Sequence, residues 1–169
     1  FSYFTVEVLK QLFESCGLEL IQAQKSSPKG GSIRVIGQLK GGKRHLDESV
    51  ERIVMEERKQ GMRDPETYRE FSAVIAASRD RTLELLEGIK VEGKRVVGFG
   101  ASHSTTTLIY HFGLGPYIEY LVDDNPLKHG RYSPGYHIPV FSSQKLYEDL
   151  PDYAIILGWQ HQKSIMERH

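Results

Sequence analysis

The sequence predicts an α/β fold, a parallel sheet with flanking helices, preceded by a helix with a β-hairpin and by a two-helix linker. Three observations carry it. After Gly93, short apolar runs alternate with helical patterns, as parallel strands joined by helical crossovers do. Before residue 46, two alternating apolar-polar runs flank the turn-rich Ser26-Ser27-Pro28-Lys29-Gly30-Gly31. Between these regions lie two stretches of helical periodicity with their own start and stop signals. The chain therefore divides into 1–46, 47–92 and 93–169.

Taken in order, Val8, Leu9, Leu12 and Phe13 recur at helical spacing within Thr5 to Cys16, and Gly17 follows as a C-terminal cap. Leu18 to Ala23 and Ser32 to Leu39 read as the two strands of a long-looped hairpin, and Gly41-Gly42 as a turn. Asp47 to Gln60 places Val50, Ile53 and Val54 on one helical face, and Gly61 stops it. Asp64-Pro65 is a cap and first-turn pair for a longer helix to Lys90, with a predicted buried stripe of Tyr68, Phe71, Ile75, Ser78, Leu85, Leu86 and Ile89. The last region reads as strands Arg95 to Phe99, Ile118 to Val122, His137 to Val140 and Tyr153 to Leu157. Helices are predicted near Thr105 to Phe112, Ser143 to Asp149 and Gln162 to Arg168, about half of a Rossmann-like fold.

Composition narrows the function. Among 169 residues, 22 Lys and Arg balance 22 Asp and Glu, so no net charge favours nucleic acid or an anionic membrane. A single cysteine, Cys16, excludes an internal disulfide framework, and without a signal-like segment the expected compartment is the reducing cytoplasm. No apolar run approaches the ~20 residues of a membrane span. The chain opens on Phe1 inside an amphipathic pattern with no initiator methionine, which suggests a piece of something longer.

The strongest local signal is Val96-Val97-Gly98-Phe99-Gly100-Ala101-Ser102-His103-Ser104-Thr105-Thr106. A strand running into a glycine-rich turn and a helix start leaves backbone N–H groups aimed at an anion. Gly98 and Gly100 would let the backbone approach a phosphate, and Ser102, Ser104 and Thr105 would add hydroxyls. Against this, such glycines also serve only to let a helix pack closely on its strand. His103 replaces the third glycine of the dinucleotide fingerprint, which argues against a standard NAD site. Asp123 lies about 20 residues on, where a ribose-binding carboxylate is found; Asp124 and Asn125 equally suit a turn before Pro126. Lys128, His129, Gly130 and Arg131 form a small basic loop suited either to a phosphate or to solvent. The histidines show no metal-ligand spacing, and Ser102 to Ser104 lacks the Gly-x-Ser-x-Gly elbow of a hydrolytic nucleophile.

Three stretches together resemble one family: Phe1-Ser-Tyr-Phe-Thr5, Lys29-Gly-Gly-Ser-Ile-Arg-Val35, and Gly98-Phe-Gly-Ala101 with Val122-Asp-Asp-Asn-Pro-Leu-Lys-His-Gly130. Pro134-Gly-Tyr-His-Ile-Pro139 and Pro151-Asp-Tyr-Ala-Ile-Ile-Leu-Gly-Trp159 extend the match over nearly the whole chain. The resemblance is to the C-terminal region of the S-adenosylmethionine-dependent C-methyltransferases of dTDP-hexoses. It implies that 1–46 is the tail end of a methyltransferase domain, 47–92 a helical linker and 93–169 a Rossmann-like substrate-binding domain. It also implies that the S-adenosylmethionine loop, a zinc module and the catalytic residues lie upstream of Phe1. No metal is expected within the chain, and the isolated piece is expected to be inactive. Nucleotide-sugar contacts are expected from Gly98, Gly100, Ala101, Ser102, His103, Ser104, Thr105, Asp123, Asn125 and Lys128. The family's Pro-Ala-Lys after the turn is here Ser102-His103-Ser104, and its His-Gly-Gly-Ser is Lys29-Gly30-Gly31-Ser32, which leaves the sugar open.

Three readings follow, the last and least favoured an assembly role for the Asp47 to Lys90 helices. In the first, the parent enzyme removes a proton beside a keto group of the sugar and the enolate takes the methyl group. In the second, the Rossmann-like half binds a nucleotide or a CoA-like ligand without chemistry. The open hairpin edge, with Leu20, Ile21, Ile33, Val35 and Ile36, predicts a homodimer or fraying there unless the helix from Thr5 and the Asp64 to Lys90 helix cover it.

Overall fold

Thr5 starts the first helix by accepting the amide hydrogen of Val8 on its hydroxyl (3.2 Å). The computed structural model describes residues 3–169, so Phe1 and Ser2 of the first matched stretch lie outside it. Helix α1 runs Val6–Ser15 and leads into strands β1, Leu18–Ser26, and β2, Ser32–Leu39, which pair antiparallel from Leu18↔Leu39 to Ser26↔Ser32. A bulge at Ile21 breaks the alternation, and both Leu20 and Ile21 are buried. Helix α2, Ser49–Lys59, completes this unit: Val50, Ile53 and Val54 pack with Val6, Leu20 and Ala23.

Helices α1 and α2 pack on β1, whereas the alternative raised from the sequence pairs α1 with the Asp64 to Lys90 helix; Ile33, Ile36 and Leu39 of β2 are exposed. The stripe of α1 is also shifted. It consists of Val6, Leu9 and Phe13, while Val8 and Leu12 are exposed, because Val6 at the very start of the helix turns toward α2. A carboxylate from α2 makes that approach specific. Glu57 accepts the buried amides of Val6 (2.7 Å) and Glu7 (3.0 Å), and Glu7 in turn binds Arg58 Nε (2.7 Å) and Arg63 Nε (2.6 Å).

Helix α3, Pro65–Val91, begins with Asp64 accepting the Glu66 amide (2.9 Å). The chain forms two compact units, 1–73 and 74–169, and the boundary between them in the sequence falls within this helix. The predicted stripe on α3 needs correction: Tyr68, Phe71 and Leu85 are exposed. Leu86 and Ile89 are buried, with Leu83 packed beside them.

In the second unit, β3 (Val96–Phe99), β4 (Leu121–Asp123), β5 (Val140–Ser142) and β6 (Tyr153–Ile156) form one parallel sheet in the order β5-β4-β3-β6. Helices α4 (His103–Phe112), α5 (Lys145–Asp149) and α6 (Gln162–Arg168) connect or follow the strands. Each face of the sheet is covered. Val96 and Leu121 pack with Leu86, Ile89 and Ile109 on one side, and Val97, Phe99 and Val122 pack with Ile165 on the other. This is the Rossmann-like parallel sheet with flanking helices that the alternating pattern predicted.

Two strands sit later than their apolar runs suggested. Residues 115–117 form a 3-10 turn after Leu114, which delays β4 to Leu121 although Ile118 and Tyr120 are buried. Likewise His137 has φ +53° and Pro139 bridges back to Tyr132, so β5 starts at Val140 and runs on through Phe141 and Ser142.

Candidate functional site

The strand order decides where a ligand can sit. From β3 the chain steps through β4 to β5 on one side and returns to the opposite side of β3 as β6, so the loops leaving β3 and β6 diverge at the carboxyl end of the sheet. Open α/β sheets place their ligand crevice at such a reversal.

Gly100 opens the turn after β3 with φ +109°, a conformation side-chain-bearing residues rarely adopt, and its N–H donates to Val122 O (2.8 Å). A Cβ there would lie 3.1 Å from the backbone nitrogen of Gly158 in the loop after β6. Close approach of these two loops therefore needs glycine. Ser102 caps α4, its Oγ accepting the Thr105 amide (3.3 Å) and lying 3.0 Å from Ser104 Oγ and 3.1 Å from Thr105 Oγ1.

Asp123, at the end of β4, ties this turn to the next loop. Its Oδ2 accepts from Ala101 N (2.8 Å) and Lys128 Nζ (2.7 Å), its Oδ1 from Asn125 N (2.9 Å), and its carbonyl lies 2.7 Å from His129 Nε2. Burial alone would push the carboxyl up, but the Lys128 ammonium and the Ala101 and Asn125 amides outweigh it and hold Asp123 below its usual range.

Two clefts flank the turn and share Ser102 and Lys128 as a common wall. The first, of about 390 Å³, lies at the strand-order reversal between the β3 and β6 loops and is lined by Gly100, Asp123, Asp124, Trp159, Gln160, His161 and Arg168, among others. The second, of about 410 Å³, lies toward β5. Ala101, Leu121, Pro134 and Val140 give it apolar walls, and His103, Arg131 and Tyr132 contribute polar groups.

Their electrostatics differ. In the first, Asp123 is paired with Lys128 and Asp124 with Arg168 (2.8 Å), so the charges compensate. No carboxylate lines the second, and Arg131 uses only Nε, on Leu127 O (2.8 Å), leaving both terminal nitrogens without an ion pair among the described residues.

Of the residues the sequence singled out, Gly100, Ala101, Ser102, His103, Ser104, Thr105, Asp123 and Lys128 line one cleft or the other. Gly98 and Asn125 line neither. Gly98 lies inside β3, where a Cβ would stand 2.5 Å from Leu121 Cδ2 and 2.7 Å from Leu157 Cδ1, so its role there is packing. Asn125 accepts the Leu127 amide on its side chain (3.0 Å) and shapes the loop. Sequence reasoning did not place Trp159, Gln160 and His161 in the site, because they join it only through the position of β6 beside β3. Among the described residues no group of three His, Cys, Asp or Glu is placed to hold a metal ion, and no helix is long and apolar enough to cross a membrane.

A four-stranded parallel sheet with flanking helices and an open crevice at its reversal point is a Rossmann-like α/β domain. Its family is the C-methyltransferase C-terminal domain, whose model matches residues 27–169, and the chain belongs to it. The chain is also 34% identical over 168 residues, 99% of its own length, to the C-methyltransferase NovU of Streptomyces niveus, and it spans 40% of that protein's length.

Proposed function

We propose that this chain is the nucleotide-sugar-binding, C-terminal part of an S-adenosylmethionine-dependent sugar C-methyltransferase. The observation that carries this reading is the pair of adjoining clefts at the carboxyl edge of the sheet, with Ser102 and Lys128 between them. A nucleotide sugar has two bulky ends joined by a diphosphate. Two clefts with a hydroxyl and an ammonium at their junction match that shape and charge.

The same site does not fit S-adenosylmethionine. Adenosyl cofactors present a ribose diol, which a carboxylate at the end of the second strand grips with both oxygens. Here Asp123 Oδ2 already accepts two hydrogen bonds and Oδ1 one, leaving a single acceptor position. One hydroxyl can be held, not a diol. The methyl donor is therefore assigned to another part of the enzyme, and 1–46 supplies the tail end of the domain that holds it.

Calorimetric titration tests this. The chain is expected to bind dTDP-glucose saturably and to show no heat with S-adenosylmethionine. Lys128→Ala should weaken dTDP-glucose about tenfold, the loss of one charge-assisted contact. Tight donor binding, or no nucleotide-sugar binding at any concentration, would overturn the assignment.

A further inference from the structure

The two clefts differ in a way that gives the bound substrate a direction. Trp159, Gln160 and His161 line the first, together with the one free acceptor position of Asp123. A planar aromatic face beside amide, imidazole and carboxylate groups suits a pyranose, whose axial C–H groups pack on the ring while its hydroxyls donate and accept around the edge. Asp124 in the same cleft already holds Arg168, so that guanidinium is not free for a diphosphate.

The second cleft has the opposite character. Ala101, Leu121, Val140 and Pro134 give it apolar walls, Tyr132 is half or more exposed beside them, and no acid lines it. A flat pyrimidine fits apolar walls with an aromatic neighbour. The terminal nitrogens of Arg131, without an ion pair among the described residues, lie on the same side and can form a two-pronged contact to phosphate oxygens as they leave the junction at Ser102 and Lys128.

We propose that the nucleotide sugar lies across the sheet edge with its nucleoside in the cleft toward β5, its diphosphate at Ser102, Lys128 and Arg131, and its hexose against Trp159 at the β3–β6 reversal. The assignment rests on the nucleotide-sugar reading above and adds to it the orientation and three residues, Arg131, Tyr132 and Trp159, that discriminate the parts of the substrate.

Trp159 is the only tryptophan in the chain, so intrinsic fluorescence reports on one cleft alone. The 169-residue chain is titrated with dTDP and with dTDP-glucose, following fluorescence and, in parallel, calorimetric affinity. The hexose conjugate should change Trp159 emission, and dTDP should bind while leaving it nearly unaltered. Trp159→Ala should weaken dTDP-glucose about tenfold and dTDP less than about twofold. Tyr132→Ala and Arg131→Ala should weaken both ligands alike. If Trp159→Ala weakens dTDP as much as dTDP-glucose, or dTDP alone shifts the emission fully, the orientation is wrong while the nucleotide-sugar reading stands. If neither ligand binds the unaltered chain, the nucleotide-sugar reading itself fails and takes the orientation with it.

Discussion

Replacing Glu57 by alanine should unfold the first unit far more readily than its place on a helix suggests. Glu57 is 7% exposed, and its two oxygens accept the amide hydrogens of Val6 and Glu7, the first two residues of α1. Val6 is fully buried, so water cannot easily replace the lost acceptor. An unsatisfied buried N–H costs about 1–3 kcal/mol, so the two amides together should cost about 2–6 kcal/mol. That is a large share of the roughly 5–15 kcal/mol by which a domain is stable. Glu57→Gln keeps one carbonyl oxygen but turns an amide donor toward the second N–H, and should cost about half as much.

Urea unfolding followed by far-UV circular dichroism, with hydrogen exchange at Leu20 and Ala23, measures the effect. Trp159 belongs to the other unit, so its fluorescence transition should stay where it was and serves as the internal control. A loss below about 0.5 kcal/mol in Glu57→Ala, within the range of ordinary surface changes, would show that the carboxylate is not the clamp.

Gly98→Ala should lower the stability of the second unit by about 1–3 kcal/mol in melts read by Trp159 fluorescence, since the added methyl meets Leu121 and Leu157 at 2.5 and 2.7 Å. Unchanged stability there would mean the two leucines repack freely. Asp123, whose folded pKa is held below the unfolded 3.8, contributes stability that is complete above that value and is lost as pH falls through the lower folded one. Asp123→Asn should therefore flatten the acid limb of the second unit's stability profile while changing little in its shape near neutrality. An unaltered acid limb would remove Asp123 from that role.

The order and type of the elements were legible because of local punctuation: Asp64 as a cap, Gly17 and Gly61 as stops, and alternating apolar runs for the strands. Faces were read less well. On α1 the helical spacing of Val8 and Leu12 was equally good for two stripes, and only the approach of α2 through Glu57 selects the one with Val6. On α3, Tyr68 and Phe71 fit a periodic pattern yet lie on an exposed stretch, because periodicity says which residues share a face and not whether anything covers it. In the site, the turn from Gly100 to Thr105 and the Asp123–Lys128 pair lie within local motifs. Trp159 does not. It is 36 residues beyond Asp123 and reaches the cleft only because β6 pairs with β3 and not with β5, a choice made by long-range pairing.

That pairing also limits which substitutions can test the site. Gly100→Val would block a phosphate from approaching the backbone, but it would also force a branched side chain into φ +109° and against the Gly158 backbone 3.1 Å away. Loss of binding in that variant would follow from a displaced β6 loop as readily as from a blocked ligand. The same holds for Asp123, whose carboxylate joins Ala101, Asn125 and Lys128 before any ligand arrives. Trp159, Tyr132 and Arg131 are different: the two rings are 58% and 65% exposed, and among the described residues the Arg131 side chain makes a single hydrogen bond, to the Leu127 carbonyl. Truncating them removes groups that face the clefts while leaving the sheet and the glycine turn intact. Binding changes at these three positions can thus be assigned to contact with the ligand, provided the Trp159-independent circular dichroism melt of each variant matches that of the unaltered chain.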